Sequence, residues 1–241
     1  MEVSDGEVRA LARAADDAHH AALAQLPDEL AERHRPPPPP GGRRGLLRAV
    51  VAGGVALGSA VGLGRLGVAP ATAQDLEPPP PGLDTARFTA SIELAAAAIY
   101  DGAAARGVLG VALVDLSQRF AGHHRDHAGA FNALLPAEHQ VVTPNATAMN
   151  TFGPQLQAVD DPDQLIGLLL GLEEAAVATY LAAVAVAAPP GEIDAAAAIL
   201  PVEAQHAVAL ATVLGARDDA LRSFERADGA MTLAAFPIGP S

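Results

Sequence analysis

The sequence predicts an all-α protein built on a four-helix bundle with one long crossover between its second and third helices. Three observations lead there. Half of the 241 residues are hydrophobic but only 3% are aromatic, so alanine supplies much of the apolar surface, and alanine favours helices and is depleted in strands. Proline, glycine and cap residues divide positions 84–215 into four long segments with two short connections and one long one. In the second and fourth segments the apolar positions step by four, three, four and three, the period of a buried helix face.

The first bundle helix is predicted from Asp84, a suitable N-cap, to Ala105. The second runs from about Val108 to Leu135 and stops before Pro136, because proline lacks a backbone donor and clashes with the preceding turn. Residues 137–160 contain Pro144, Asn145, Gly153 and Pro154 and read as an irregular crossover. The third helix has Asp161 as N-cap and Pro162 in its first turn, and ends before Pro189. The fourth runs from about Glu192 to Leu214, with Gly215 as its stop and Pro201 expected to kink it. Residues 216–241 add a short fifth helix, about Asp218–Arg226, and an apolar tail. The alanine runs at 95–98 and 195–198 suit close helix packing.

The N-terminal third reads as separate from this bundle. Residues 1–42 combine a polar helical stretch with a linker made by Pro36–Pro40, Gly41 and Gly42. Residues 43–73 have the order of an export signal: Arg43-Arg44-Gly45-Leu46-Leu47-Arg48, an apolar run to Gly64, and Ala71 and Ala73 in a small-residue cleavage pattern. The paired arginines resemble the bacterial twin-arginine signal. The resemblance implies recognition of Arg43 and Arg44 by the twin-arginine export machinery, cleavage after Ala73 and an extracytoplasmic or cell-envelope location. If uncleaved, the segment would leave the protein anchored to the membrane. Residues 74–83 form a second proline-rich linker.

Composition excludes several functions. The chain has no Cys, which removes disulfide scaffolds, thiolate zinc sites, iron–sulfur clusters and cysteine nucleophiles. Its 15 basic residues face 28 acidic ones, for a net charge of −13. Without a basic stripe, nucleic acid is not an expected partner.

The chemistry lies on the buried stripes. Glu93 and Tyr100 are seven apart on the first helix, and Glu173 and Tyr180 repeat that spacing on the third. On the second helix His124 and His127 stand between Phe120 and Phe131; on the fourth, Glu203 and His206 stand between Ile199 and Leu210. These are core positions filled by polar groups. Burying each without a partner costs several kcal/mol, so a metal ion or a hydrogen-bonded Glu/His/Tyr network is required. His123 lies about 100° around the helix from His124 and is a weaker candidate. Glu174 is off the stripe. His19, His20, His34 and His139 read as solvent or loop residues.

Two Glu-x6-Tyr helices, a pair three apart and a Glu-x-x-His motif together resemble the ferritin-like superfamily of carboxylate-bridged di-iron proteins, over residues 84–215 and closest to its exported bacterial members. The resemblance implies Glu93, His127, Glu173, Glu203 and His206 as metal ligands, with Tyr100 and Tyr180 beside the metals. His124 occupies a place where the family has a bridging Glu, which leaves Glu203 as the one bridge of that kind. Dinuclear, mononuclear and metal-free versions all stay open. Iron or manganese, or zinc, is the implied metal. Oxidase, catalase-like and iron-handling roles, and assembly into homo-oligomers through the bundle faces, belong to this architecture. A non-catalytic envelope or stress protein is the alternative.

Overall fold

The structure, a computed structural model, describes residues 3–33, 84–185, 190–216 and 229–238. Among these residues are six α-helices and no strand: α1 (Asp5–Arg33), α2 (Asp84–Ala105), α3 (Val111–Asn132), α4 (Ala146–Ala158), α5 (Pro162–Ala185) and α6 (Pro190–Val213). The signal residues Arg43, Arg44, Ala71 and Ala73, and the fifth helix expected over 218–226, lie outside the described residues.

Helices α2, α3, α5 and α6 are the four-helix bundle. α2 pairs most closely with α3, and α5 with α6. Local chemistry sets their ends. Gly107, at φ +70°, makes the turn into α3. The Asp161 carboxylate accepts the Gln164 N–H at 2.9 Å at the start of α5. Gly215, at φ +69°, ends α6, with its N–H on the Thr212 carbonyl and the Ala216 N–H on that of Ala211. These are the paired bonds of a Schellman cap. α6 continues through Pro201 as one helix.

Two expectations need correction. The crossover is not irregular: after a short 3-10 turn at Ala137–His139 it forms α4. Asn145, read as a breaker, is the N-cap, and its side chain accepts the Ala148 N–H at 3.0 Å. Ala148, Phe152 and Leu156, four apart, bury one face of α4, and this packing outweighs Gly153 and Pro154. Leu156 lies against Gly102 of α2, where a Cβ would come within 2.7 Å of its Cδ2.

The second correction concerns the N-terminus, which is packed on the bundle. Ser4 and Glu7 form a reciprocal capping box that starts α1, with the Ser4 N–H on Glu7 Oε2 at 2.8 Å. α1 then lies along α6 and α3. Its Val8, Ala12 and Ala15 join the apolar cluster that holds Ile99, Leu116, Phe120 and Leu169, whereas Leu26 joins the cluster of Phe131 and Ile199 at the other end. The polar residues of the core lie between these two clusters. On another side, Met231 and Phe236 of the tail pack on Phe88, Ile92 and Ala175.

Candidate metal centre

Glu93 on α2, His124 and His127 on α3, Glu173 on α5, and Glu203 and His206 on α6 converge inside the bundle, each at most 2% exposed. They form two overlapping sets, Glu93–His124–His127–Glu203 and His124–Glu173–Glu203–His206, in each of which four ligand atoms lie within 4.8 Å of one another. In the first, Glu93 Oε2 is 2.7 Å from His124 Nδ1 and 3.5 Å from His127 Nδ1. Glu203 Oε1 is 2.7 Å from His127 Nδ1 and 3.7 Å from His124 Nδ1. In the second, His124 Nε2 is 3.2 Å from Glu173 Oε1, and His206 Nδ1 is 3.6 Å from Glu173 Oε2 and 3.4 Å from Glu203 Oε2. Ligand atoms bound tetrahedrally at about 2.1 Å stand about 3.4 Å apart; the separations of 3.2–3.7 Å suit a small cation, whereas the two of 2.7 Å are direct contacts between the side chains.

The two phenols cross between the halves. Tyr100 of α2 donates to Glu173 Oε1 on α5, and Tyr180 of α5 donates to Glu93 Oε1 on α2. Burial first, and then the neighbouring carboxylates, push both phenols well above their ordinary range, so each remains a donor.

Burial would raise the carboxylates, but the hydrogen bond from His124 and the charges of His124 and His127 hold Glu93 at about 2. His124 and His206 likewise hold Glu173 well below the usual range against its burial. For the imidazoles burial works downward and is outweighed: Glu203 lifts His127 to about 9, Glu203 and Glu173 lift His124 well above its usual value, and Glu173 lifts His206. In each case the opposite charge, close by in a low-dielectric interior, wins over desolvation.

Five buried atoms of the cluster nevertheless have no hydrogen-bond partner: His127 Nδ1, His206 Nδ1, Glu173 Oε2 and both oxygens of Glu203. His127 Nδ1 and Glu203 Oε1 are near enough to pair but lie off the hydrogen-bonding axis. Buried polar atoms are rarely left this way. Three carboxylates and three imidazoles around a shared centre are also a donor set that a first-row transition metal accepts. The residues therefore fit a metal.

A family model described as a ferritin-like domain matches residues 83–216, more than half of the chain. The chain belongs to the ferritin-like domain family. No curated protein and no solved structure matches it. In this ferritin-like bundle His124 bonds Glu93 through Nδ1 and Glu173 through Nε2, so it spans the two carboxylates that the tyrosines hold.

Two histidines set aside from the sequence are part of this ferritin-like core. His19, expected in solvent, is 1% exposed. Its Nδ1 lies 3.2 Å from His127 Nε2 and its Nε2 3.0 Å from Asp126 Oδ2. His123, expected off the working face, has Nδ1 2.9 Å from His206 Nε2 and Nε2 2.9 Å from Asp16 Oδ1. Burial lowers both, His19 to about 4 and His123 to about 2, so both imidazoles are neutral at pH 7. A signal for His19 was present: Val8, Ala12, Ala15 and His19 step by four, three and four. His123 is off the bundle stripe because it faces α1. Glu174 is half-buried, and His20 and His139 are exposed as expected. His34 lies outside the described residues.

Proposed function

We propose that this ferritin-like protein holds one or two divalent transition-metal ions through Glu93, His124, His127, Glu173, Glu203 and His206, with iron or manganese as the resident metal and zinc as the redox-silent alternative. The convergence of these six buried residues, five of whose ligand atoms have no aligned hydrogen bond, carries this reading. Iron or manganese there supplies O₂ or peroxide chemistry, and oxidase, catalase-like or iron-handling activity follows from that class.

The chain's own residues have separable tasks. Tyr100 and Tyr180 each hold one oxygen of a carboxylate and leave Glu173 Oε2 and Glu93 Oε2 turned to the histidines. Glu203 and His124 belong to both four-residue sets and could help to hold an ion in either. The apolar clusters on either side keep bulk water out.

Elemental analysis of the purified full-length chain tests the reading. One to two equivalents of iron or manganese are expected. A chain that carries no metal, and takes up none of Fe²⁺, Mn²⁺ or Zn²⁺ on titration, would leave the hydrogen-bonded core of a non-catalytic envelope or stress protein as the better account. One observation favours that alternative: His124 already satisfies Glu93 and Glu173 with its two nitrogens. It leaves Glu203 unexplained.

Export by the twin-arginine route is part of the same proposal, supported by the order of residues 43–73. Replacing Arg43 and Arg44 together by Lys should retain the protein in the cytoplasm; wild-type export of that variant removes the assignment. A single membrane crossing would put α1 and the bundle on opposite sides, and cleavage after Ala73 would sever them. If export and cleavage occur, the α1 contacts belong to the chain before translocation, and the exported bundle is without His19 and Asp16.

A further inference from the structure

Resting on the metal reading above, we infer that α1 completes the centre from outside the bundle: His19 engages Nε2 of His127, and Asp16 engages Nε2 of His206 through His123, so that both Nδ1 atoms are the nitrogens that a metal takes in place of a proton.

The polarity of two hydrogen-bond chains carries the argument. An ionised carboxylate only accepts, and a neutral imidazole donates from one nitrogen and accepts at the other. Asp126 accepts the proton of His19 Nε2 at 3.0 Å. His19 Nδ1 is then the acceptor, and at 3.2 Å it takes the Nε2–H of His127. His127 Nδ1 is then the nitrogen left to exchange its proton for a metal, and that atom is one of those without a hydrogen-bond partner. The second chain repeats the logic. Asp16, paired also with Arg119, accepts the Nε2–H of His123 at 2.9 Å. His123 Nδ1 accepts the Nε2–H of His206 at 2.9 Å, and His206 Nδ1 is likewise unpartnered.

Each chain draws one link from α1 and one from α3. For His127, α1 gives the middle imidazole and α3 the acid; for His206, α3 gives the imidazole and α1 the acid. Asp16 and His19, three apart, share one face of α1. His19 and His123 stack with ring centres 4.0 Å apart and planes 13° from parallel, so one placement of α1 sets both chains. Hydrogen-bonded partners of this kind orient a metal-bound imidazole and raise its basicity. His19 and Asp16 are positioning residues.

The test uses the full-length chain, with Co²⁺ as probe because its visible absorption reports ligand number and geometry. His19→Leu and Asp16→Asn should each weaken Co²⁺ binding roughly 10- to 100-fold and alter the absorption band. His19→Gln, whose amide can donate to Asp126 and accept from His127, should recover most of the affinity. Val8→Ala loosens α1 packing without touching either chain, so it should lower the melting temperature and leave affinity and spectrum unchanged. Wild-type affinity and spectrum in both His19→Leu and Asp16→Asn would overturn the inference and leave α1 a packing helix. If His19→Leu fails to fold, Asp16→Asn decides alone. If the wild-type chain binds neither Co²⁺ nor Fe²⁺, the metal reading falls, and this inference with it.

Discussion

The α2–α3 half of the bundle supplies Glu93, Tyr100, His124 and His127, and the α5–α6 half supplies Glu173, Tyr180, Glu203 and His206. Glu93 matches Glu173, each bonded by the other half's tyrosine. His127 matches His206, each with Nδ1 inward and Nε2 on a further histidine. The one unlike pair is His124 and Glu203, and their surroundings differ as their chemistry does. His124 finds a protein partner for both nitrogens, whereas neither oxygen of Glu203 forms a hydrogen bond. One of the two shared positions is thus held by aligned hydrogen bonds, and the other only by ion-pair contacts to His127 and His206 that a cation could replace.

The sharpest way to break this comparison is to remove Glu203. A metal that binds only the folded state stabilises it by about 2.7 kcal/mol at a hundredfold excess over Kd. For a chain of this size that is roughly 5–10 °C in melting temperature. Wild-type protein should lose that margin on chelation, and Glu203→Ala should melt at the same temperature with and without chelator. A chelation effect of wild-type size in Glu203→Ala would show that this residue holds nothing.

Making the halves alike is the next test. His124→Glu restores a carboxylate at the second shared position and should increase bound iron per chain, read by elemental analysis. It also removes the imidazole between Glu93 and Glu173, and uncompensated buried charge costs about 3–5 kcal/mol. The metal-free variant should therefore melt well below the metal-free wild type. Unchanged iron and unchanged melting would mean that position 124 takes no part in the centre.

The same halves explain what the sequence disclosed and what it hid. Helix ends were legible because Asp161 and Gly215 act on the backbone within a few residues. The six cluster residues were legible because polar groups at core steps stand out within one helix. α4 was hidden because Asn145, Gly153 and Pro154 weigh against a helix locally, whereas the favourable terms, Phe152 and Leu156 against the bundle, come from distant chain. His19 and Asp16 were hidden for a related reason. A polar helix followed by five prolines gives no local sign of the surface it covers, and its partners His127 and Asp126 are more than a hundred residues away.

pH should modulate the metal effect more gently. Metal binding must displace protons from the imidazoles. In the metal-free state His127, at about 9 against an ordinary 6.5, contributes stability that is complete below about pH 6.5 and lost as pH rises through about 9. Glu93, at about 2 against 4.5, contributes stability present above about pH 4.5 and lost as pH falls through about 2. His19 and His123, lowered to about 4 and about 2, cost stability as pH falls below about 6.5, so metal-free protein should be most stable in a narrow window near pH 6.5. Above that window it weakens while metal competes better with protons, so the chelation effect on melting should grow steadily from pH 5 to pH 9. An effect that is flat or shrinks over that range would contradict the raised imidazoles.

The finest test is a difference between the two tyrosines. Tyr100→Phe and Tyr180→Phe each remove one donor to a buried carboxylate, worth about 1.5–3 kcal/mol. Strict equivalence of the halves would make the two costs equal, but His124 breaks it. Glu173 Oε1 accepts from Tyr100 and also from His124 Nε2 at 3.2 Å, whereas Glu93 Oε1 has Tyr180 as its donor, the His124 bond going to Oε2. Tyr180→Phe strands an oxygen that Tyr100→Phe does not. In metal-free protein it should therefore cost more, by on the order of 1 kcal/mol, or roughly 2–4 °C in melting temperature. Adding His124→Ala to both variants should erase the difference, because the extra donor to Glu173 is then gone. If Tyr100→Phe proves the costlier change, His124 does not serve Glu173, and its imidazole is committed to the α2–α3 half alone.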